Sequence, residues 1–199
     1  MTLESLERLQ SHTNELTELK RRHYLPETDV HEDDTSHSYS VALLGWRLNE
    51  MLELGLDTEK ILKYAMVHDF VEVYAGDVNT FASPEAKHQK KQDEAAALSI
   101  LVREYADSPD FIATIQAYES KSDDEARFVW ACDKIQALLQ GQLDSWRCYY
   151  ELKITDAQFL AKLHELRPDV LPALLEFYDD FCIDCLSTYH FVEPQDMLF

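Results

Sequence analysis

Leu3, Leu6, Leu9, Leu16 and Leu19 recur at helical spacing at the start of the chain and predict a first helix. It runs into Lys20-Arg21-Arg22 and breaks near Pro26. "PETDVHEDDT" is polar and reads as a loop, and Asp33, Asp34 and Thr35 then offer N-caps for a second helix. There His37, Val41, Leu44, Leu48 and Met51 share one face, and it is the apolar one, so His37 is predicted to point inward. Gly55 ends this helix and Asp57 or Thr58 opens the next. That third helix carries "YAMVHDFVEVYAGD", residues 64–77, apolar almost all round, and is predicted to be the buried central helix.

"GDVNTFASPE" reads as a loop. Further helices are predicted from Pro84 to about Tyr105, from Pro109 to near Ser120, and over "DDEARFVWACDKIQALLQ", where Asp133 interrupts an apolar pattern. Thr155 and Asp156 cap another, which Pro168 terminates, and a last long helix carries "FCIDCL". No alternating strand of convincing length occurs. The expectation is an all-α, single-domain bundle of about eight helices spanning residues 1–199.

Composition narrows the function. A net charge of −20 disfavours a nucleic-acid partner. Lys20-Arg21-Arg22 and Lys87-His88-Gln89-Lys90-Lys91 stand out as basic islands, either solvated faces or local attraction for a small anion. No apolar run is long enough to span a membrane, and "MTLESLERLQ" lacks the pattern of a secretory signal, so the expected location is cytoplasmic. Cys132, Cys148, Cys182 and Cys185 suggest no disulfide framework, and Cys182/Cys185 lack a second ligand pair, which makes them packing residues. Trp146, Tyr149 and Tyr150 offer rings for stacking a base and are assigned instead to the core or a dimer interface, and His31 and His88 are assigned to the surface rather than to substrate.

His37, His68, Asp69 and Asp133 are the four candidate metal ligands. Two imidazoles and two carboxylates suit manganese, cobalt, iron, nickel or zinc better than calcium. Each residue alone has a plain structural reading, a hydrogen-bonded core histidine or a paired aspartate. Together with Glu72 they place more buried acid in apolar segments than the neighbouring sequence can pair.

"TSHSYSVALL", "AMVHDFVEVYAGDV" and "ARFVWACDKIQALL", in that order, resemble the HD-domain metal-dependent phosphohydrolases, and most closely the 5′-deoxynucleotidase branch. The resemblance covers roughly residues 15–145, leaving the helices of 146–199 without a diagnostic motif. It implies an HD-type helical bundle. It also implies one divalent metal on His37, His68, Asp69 and Asp133. Glu72 matches the acid that handles the attacking water, and Asp77 one that positions water or sugar. Arg22, 15 residues before His37, matches a phosphate-holding arginine, with Arg21 the neighbouring candidate. His23 stands where the branch usually has tryptophan. Lys87, Lys90 and Lys91 are further cations for substrate. The implied reaction turns a 5′-deoxynucleoside monophosphate into deoxynucleoside and phosphate. The alternatives are release of triphosphate from a deoxynucleoside triphosphate and a non-catalytic nucleotide-binding module. The implied partner is a small nucleotide, and members of the branch are often homodimers.

Overall fold

A computed structural model describes residues 3–76, 81 and 83–190. Ten α-helices are described, two of them of only four or five residues, so eight are of substantial length. The all-α expectation holds. In chain order they are α1 (Leu3–Glu18), α2 (Asp34–Met51), α3 (Thr58–Val67), α4 (Glu72–Ala75), α5 (Pro84–Glu104), α6 (Pro109–Glu119), α7 (Asp124–Leu143), α8 (Arg147–Glu151), α9 (Asp156–Leu166) and α10 (Leu175–Thr188). The caps follow the sequence. Asp33, Asp57, Ser83, Asp123 and Thr155 each accept a hydrogen bond from the first turn of the helix they precede.

Two features depart from the sequence expectation. The first helix ends at Glu18, short of the expected break near Pro26, and a small antiparallel hairpin follows: β1 (Lys20–Tyr24) stands where that helix was expected to continue and β2 (His31–Asp33) where a loop was expected. Its strands are too short and too polar to show an apolar alternation. The predicted central helix is also broken. It ends at Val67, turns through residues 68–71, and resumes as the short α4.

The core is built on α2, α3 and α7, which pack against one another. Val41, Ile61, Ala65, Phe128, Val129, Cys132 and Ile135 are buried there. The same cluster continues into Trp146, Tyr149, Phe159, Leu174, Tyr178 and Tyr189. All four cysteines are buried as free thiols, in keeping with their assignment to packing. In α1 the buried residues are Ser5 and His12, while Leu3, Leu6 and Leu9 are exposed. His12 is turned inward by hydrogen bonds to the Tyr74 and Tyr105 hydroxyls at 3.1 and 2.9 Å.

Candidate metal centre

The hairpin and three helices bring the charged residues together. His37 projects from the first turn of α2 and is fully buried. Its Nδ1 lies 2.7 Å from Gln136 Oε1 and its Nε2 3.0 Å from Asp133 Oδ1. Asp133, Gln136 and Gln140 form a polar stripe along α7 that receives the hairpin. Gln136 Nε2 donates to Glu32 at 2.8 Å and Gln140 Nε2 to the Tyr24 carbonyl at 2.7 Å. Burial and Arg21 push the His37 imidazole down, but bonds to Asp133 and Glu32 outweigh them and take it up to about 9.

His68 sits just past the last residue of α3. Its Nδ1 lies 2.8 Å from the Ala65 carbonyl, which can only accept, so Nδ1 carries the proton. Nε2 is then the ring nitrogen that faces Asp69. It is buried, has no hydrogen-bond partner among the described residues, and lies 3.1 Å from Asp69 Oδ2. At that distance either a proton on Nε2 or a cation between the two atoms makes the approach favourable. His37 Nε2 is 3.9 Å from the same oxygen. His37, His68 and Asp69 each offer one ligand atom, and these lie within 4.8 Å of one another. Asp133 approaches the group through His37, with its other oxygen 2.6 Å from Lys134 Nζ. The donor set fits a divalent metal, and the hydrogen bonds behind each histidine fix its ring as outer partners of a metal site do.

Asp34, Asp69 and Glu72 make a second group within 4.8 Å. Arg21 stands among these acids. Its guanidinium lies 2.9 Å from Asp69, 3.3 Å from Asp34, 3.8 Å from Asp133 and 3.9 Å from Glu32. Burial raises the Asp69 carboxyl, but His68 and Arg21 draw it well below the usual carboxylate range. Burial also raises that of Asp133, and Lys134 and His37 reverse it. Glu72 is buried at the start of α4, with Oε1 2.9 Å from Lys90 Nζ of α5. Burial, Glu94 and Asp69 push the half-buried Glu119 up to about 7.

The remaining predicted residues fall in different places. Period-two alternation along β1 turns Arg21 inward and leaves Arg22 exposed. Geometry therefore puts Arg21, the neighbouring candidate, at the ligands. His23 faces Tyr149, its Nε2 3.4 Å from the hydroxyl, and burial together with Arg21 holds it down at about 4. Lys87 lies 3.7 Å from Glu165 of α9. Asp77 falls outside the described residues. Glu32 and Asp34 were not anticipated as site residues. Their position in an acidic loop gave no sign that they are buried. A cavity of about 490 Å³ opens from His68, Asp69, Glu72 and Asp133, a size suited to a nucleotide-scale ligand.

The family model for the HD domain matches residues 13–174. The chain belongs to the HD-domain family. It is 32% identical over 143 residues to a 5′-deoxynucleotidase of Vibrio vulnificus, covering 66% of this chain and 69% of that one. It is 26% identical over 151 residues to a 5′-deoxynucleotidase of Saccharomyces cerevisiae, covering 71% of this chain and 66% of the relative. The chain thus spans about two thirds of the length of these curated relatives. The crystal structure of a predicted metal-dependent phosphohydrolase from Magnetospirillum magnetotacticum superposes with a TM-score of 0.76 at 20% identity, over 94% of this chain and 93% of that one. That last likeness shows the HD fold. The resemblance to the 5′-deoxynucleotidase branch, drawn from three sequence segments, is borne out.

Proposed function

We propose that this HD-domain protein is a metal-dependent phosphohydrolase that removes the 5′-phosphate of a 2′-deoxynucleoside monophosphate. The observation that carries the reading is the buried Nε2 of His68, held toward Asp69 with His37 Nε2 beside the same oxygen, three ligand atoms within 4.8 Å of one another. His37, His68, Asp69 and Asp133 would hold one divalent metal, and manganese, cobalt, iron, nickel or zinc suits these donors. When bound, such a metal supplies Lewis acidity to the phosphoryl oxygens and makes water more acidic. Arg21 offers the substrate phosphate a planar fork beside the ligand carboxylates. Glu72, held by Lys90 at 2.9 Å, accepts a proton from the attacking water. The water oxygen bonds to phosphorus as the bond to the 5′-oxygen breaks, and the proton passes to that oxygen. Asp77 keeps the water- or sugar-positioning role that the family resemblance gives it. Supporting the substrate class, the curated relatives above are 5′-deoxynucleotidases.

One observation favours a second reading, release of triphosphate. Lys90, Lys91, Lys121 and Lys134 all line the cavity, enough cations for a longer phosphate chain. A panel of nucleoside mono-, di- and triphosphates with each metal, products separated by chromatography, tests both. Phosphate from deoxynucleoside monophosphates is the expected result. Triphosphate release selects the second reading, and binding without turnover under every metal leaves a nucleotide-binding module. Two further expectations, a cytoplasmic location and a homodimer, are checked by cell fractionation and light scattering.

A further inference from the structure

The reaction centre occupies only part of the cavity. Its other walls come from Leu98, Tyr118, Glu119, Lys121 and Trp130. Trp130 and Asp133 are three residues apart on α7, so they share a helix face, about 4.5 Å apart along the axis. That face looks into the cavity, since Trp130, Asp133 and Lys134 all line it. Tyr118, the other aromatic wall, is buried and meets His68 edge-on with ring centroids 5.9 Å apart. Trp130 is only partly buried. The indole packs against the main core, and the part left open among lysines and glutamates forgoes some of the gain that burying it would bring. Its present cover is a cation. Lys121 Nζ lies 4.0 Å from the ring centroid, with Asp169 as its other partner at 3.3 Å, and Lys134 Nζ lies 5.8 Å away.

We propose that Trp130 is the platform on which the nucleobase of the substrate stacks, with Lys121 moving off the ring or over its edge to admit the base. The inference rests on the nucleotide reading above and assigns the end of the substrate away from phosphorus. Phosphate at the end of the cavity formed by His68, Asp69 and Asp133 fixes one end of a nucleotide. The sugar spans the helical turn between Asp133 and Trp130, and the indole is the flat apolar surface that remains. Stacking is indifferent to base identity, because every base has a π-face, so a broad base preference follows.

The test compares Trp130→Ala with Trp130→Phe and the wild type. The ratio of kcat/KM for a deoxynucleoside monophosphate to that for glycerol phosphate, which has no ring, is expected to fall about tenfold or more in the alanine variant. The phenylalanine variant should recover most of it. An equal loss on both substrates, or no change in the ratio, overturns the platform. A second measurement works without turnover. A deoxynucleoside lacking phosphate should quench intrinsic fluorescence of the wild type and leave that of Trp130→Phe unaltered. Equal quenching in both proteins, or none, also overturns it. If no phosphomonoester is hydrolysed under any metal and the quenching still depends on Trp130, the reaction reading fails and the base platform stands.

Discussion

Two buried regions of this molecule are stabilised in opposite ways. Where β1, α2, α3 and α7 meet, the interior holds Glu32, Asp34, His37, His68, Glu72 and Asp133 with Arg21 among them. In the C-terminal half, Trp146, Tyr149, Phe159 and Tyr189 pack ring against ring at 4.7–5.9 Å, with no carboxylate among them. Burying apolar rings is favourable in itself. Burying carboxylates is costly and is only offset by their partners. The first region therefore weakens the fold to hold a chemical arrangement, and the second restores what the first gives up. Substitutions should separate accordingly, loss of reaction in one region and loss of stability in the other.

The largest contrast comes from removing a single functional atom set. Glu72→Gln keeps the size of a buried side chain and removes the base. Turnover should fall by about 10²–10⁴ in a single-turnover assay, with metal content retained. A variant that keeps most of its activity but melts earlier would recast Glu72 as a structural partner of Lys90. The opposite effect is expected from Phe159→Ala, whose ring is fully buried between Trp146, Tyr149 and Tyr189. Its loss should cost about 3–5 kcal/mol in denaturant unfolding, with kcat per folded molecule preserved. A comparable drop in kcat of the folded fraction would show that the two regions are mechanically joined.

How much of this contrast the sequence discloses differs between the regions. His37, His68, Asp69, Glu72 and Asp133 are visible because titratable residues interrupt apolar helical patterns, which gives each a direction. Glu32 and Asp34 are invisible because they sit in a uniformly acidic stretch where one cap, Asp33, is partly exposed and its neighbours are buried. The hairpin is hidden for the same reason. "KRRHY" is polar on both faces, so its period of two leaves no trace, and the choice between Arg21 and Arg22 depends on that period. The leucines of α1 mislead in the other direction, since helical spacing gives a stripe but does not say what covers it.

His23 sits at the seam, on β1 beside Arg21 and in contact with Tyr149 through ring centroids 5.6 Å apart. Burial and then Arg21 lower it from 6.5 to about 4. The unfolded chain therefore takes up a proton that the folded ring refuses, and stability from this site is lost as the pH falls from about 6.5 to about 4. Above 6.5 both states are neutral and the site contributes nothing. Urea unfolding across that window should show a steeper acid decline in the wild type than in His23→Gln, by a few kcal/mol at most, about 1.4 kcal/mol per pH unit. Parallel declines would mean that water reaches the ring.

The smallest test uses two helical glycines, one in each region. A methyl group added at Gly45 on α2 would meet the Ile61 Cγ2 at 3.0 Å, with Cys132 Sγ and Phe128 Cε1 at 3.7 Å. The first contact is the end of an aliphatic side chain, which can turn slightly. One added at Gly141 on α7 would meet Tyr149 Cε2 at 2.8 Å and two Trp146 ring atoms at 3.0 and 3.1 Å. Those rings are held by Phe159 and Tyr189 and cannot yield separately. Alanine gains about 0.5–1 kcal/mol over glycine in a helix. At Gly45 that gain should nearly cancel the crowding, leaving Gly45→Ala within about 1 kcal/mol of the wild type. At Gly141 overpacking should prevail, and Gly141→Ala should lose about 1–3 kcal/mol. Thermal melts of the two variants decide it. A Gly141→Ala protein as stable as Gly45→Ala would mean that the aromatic cluster gives way, and that the stabilising half is no more tightly packed than the half that carries the chemistry.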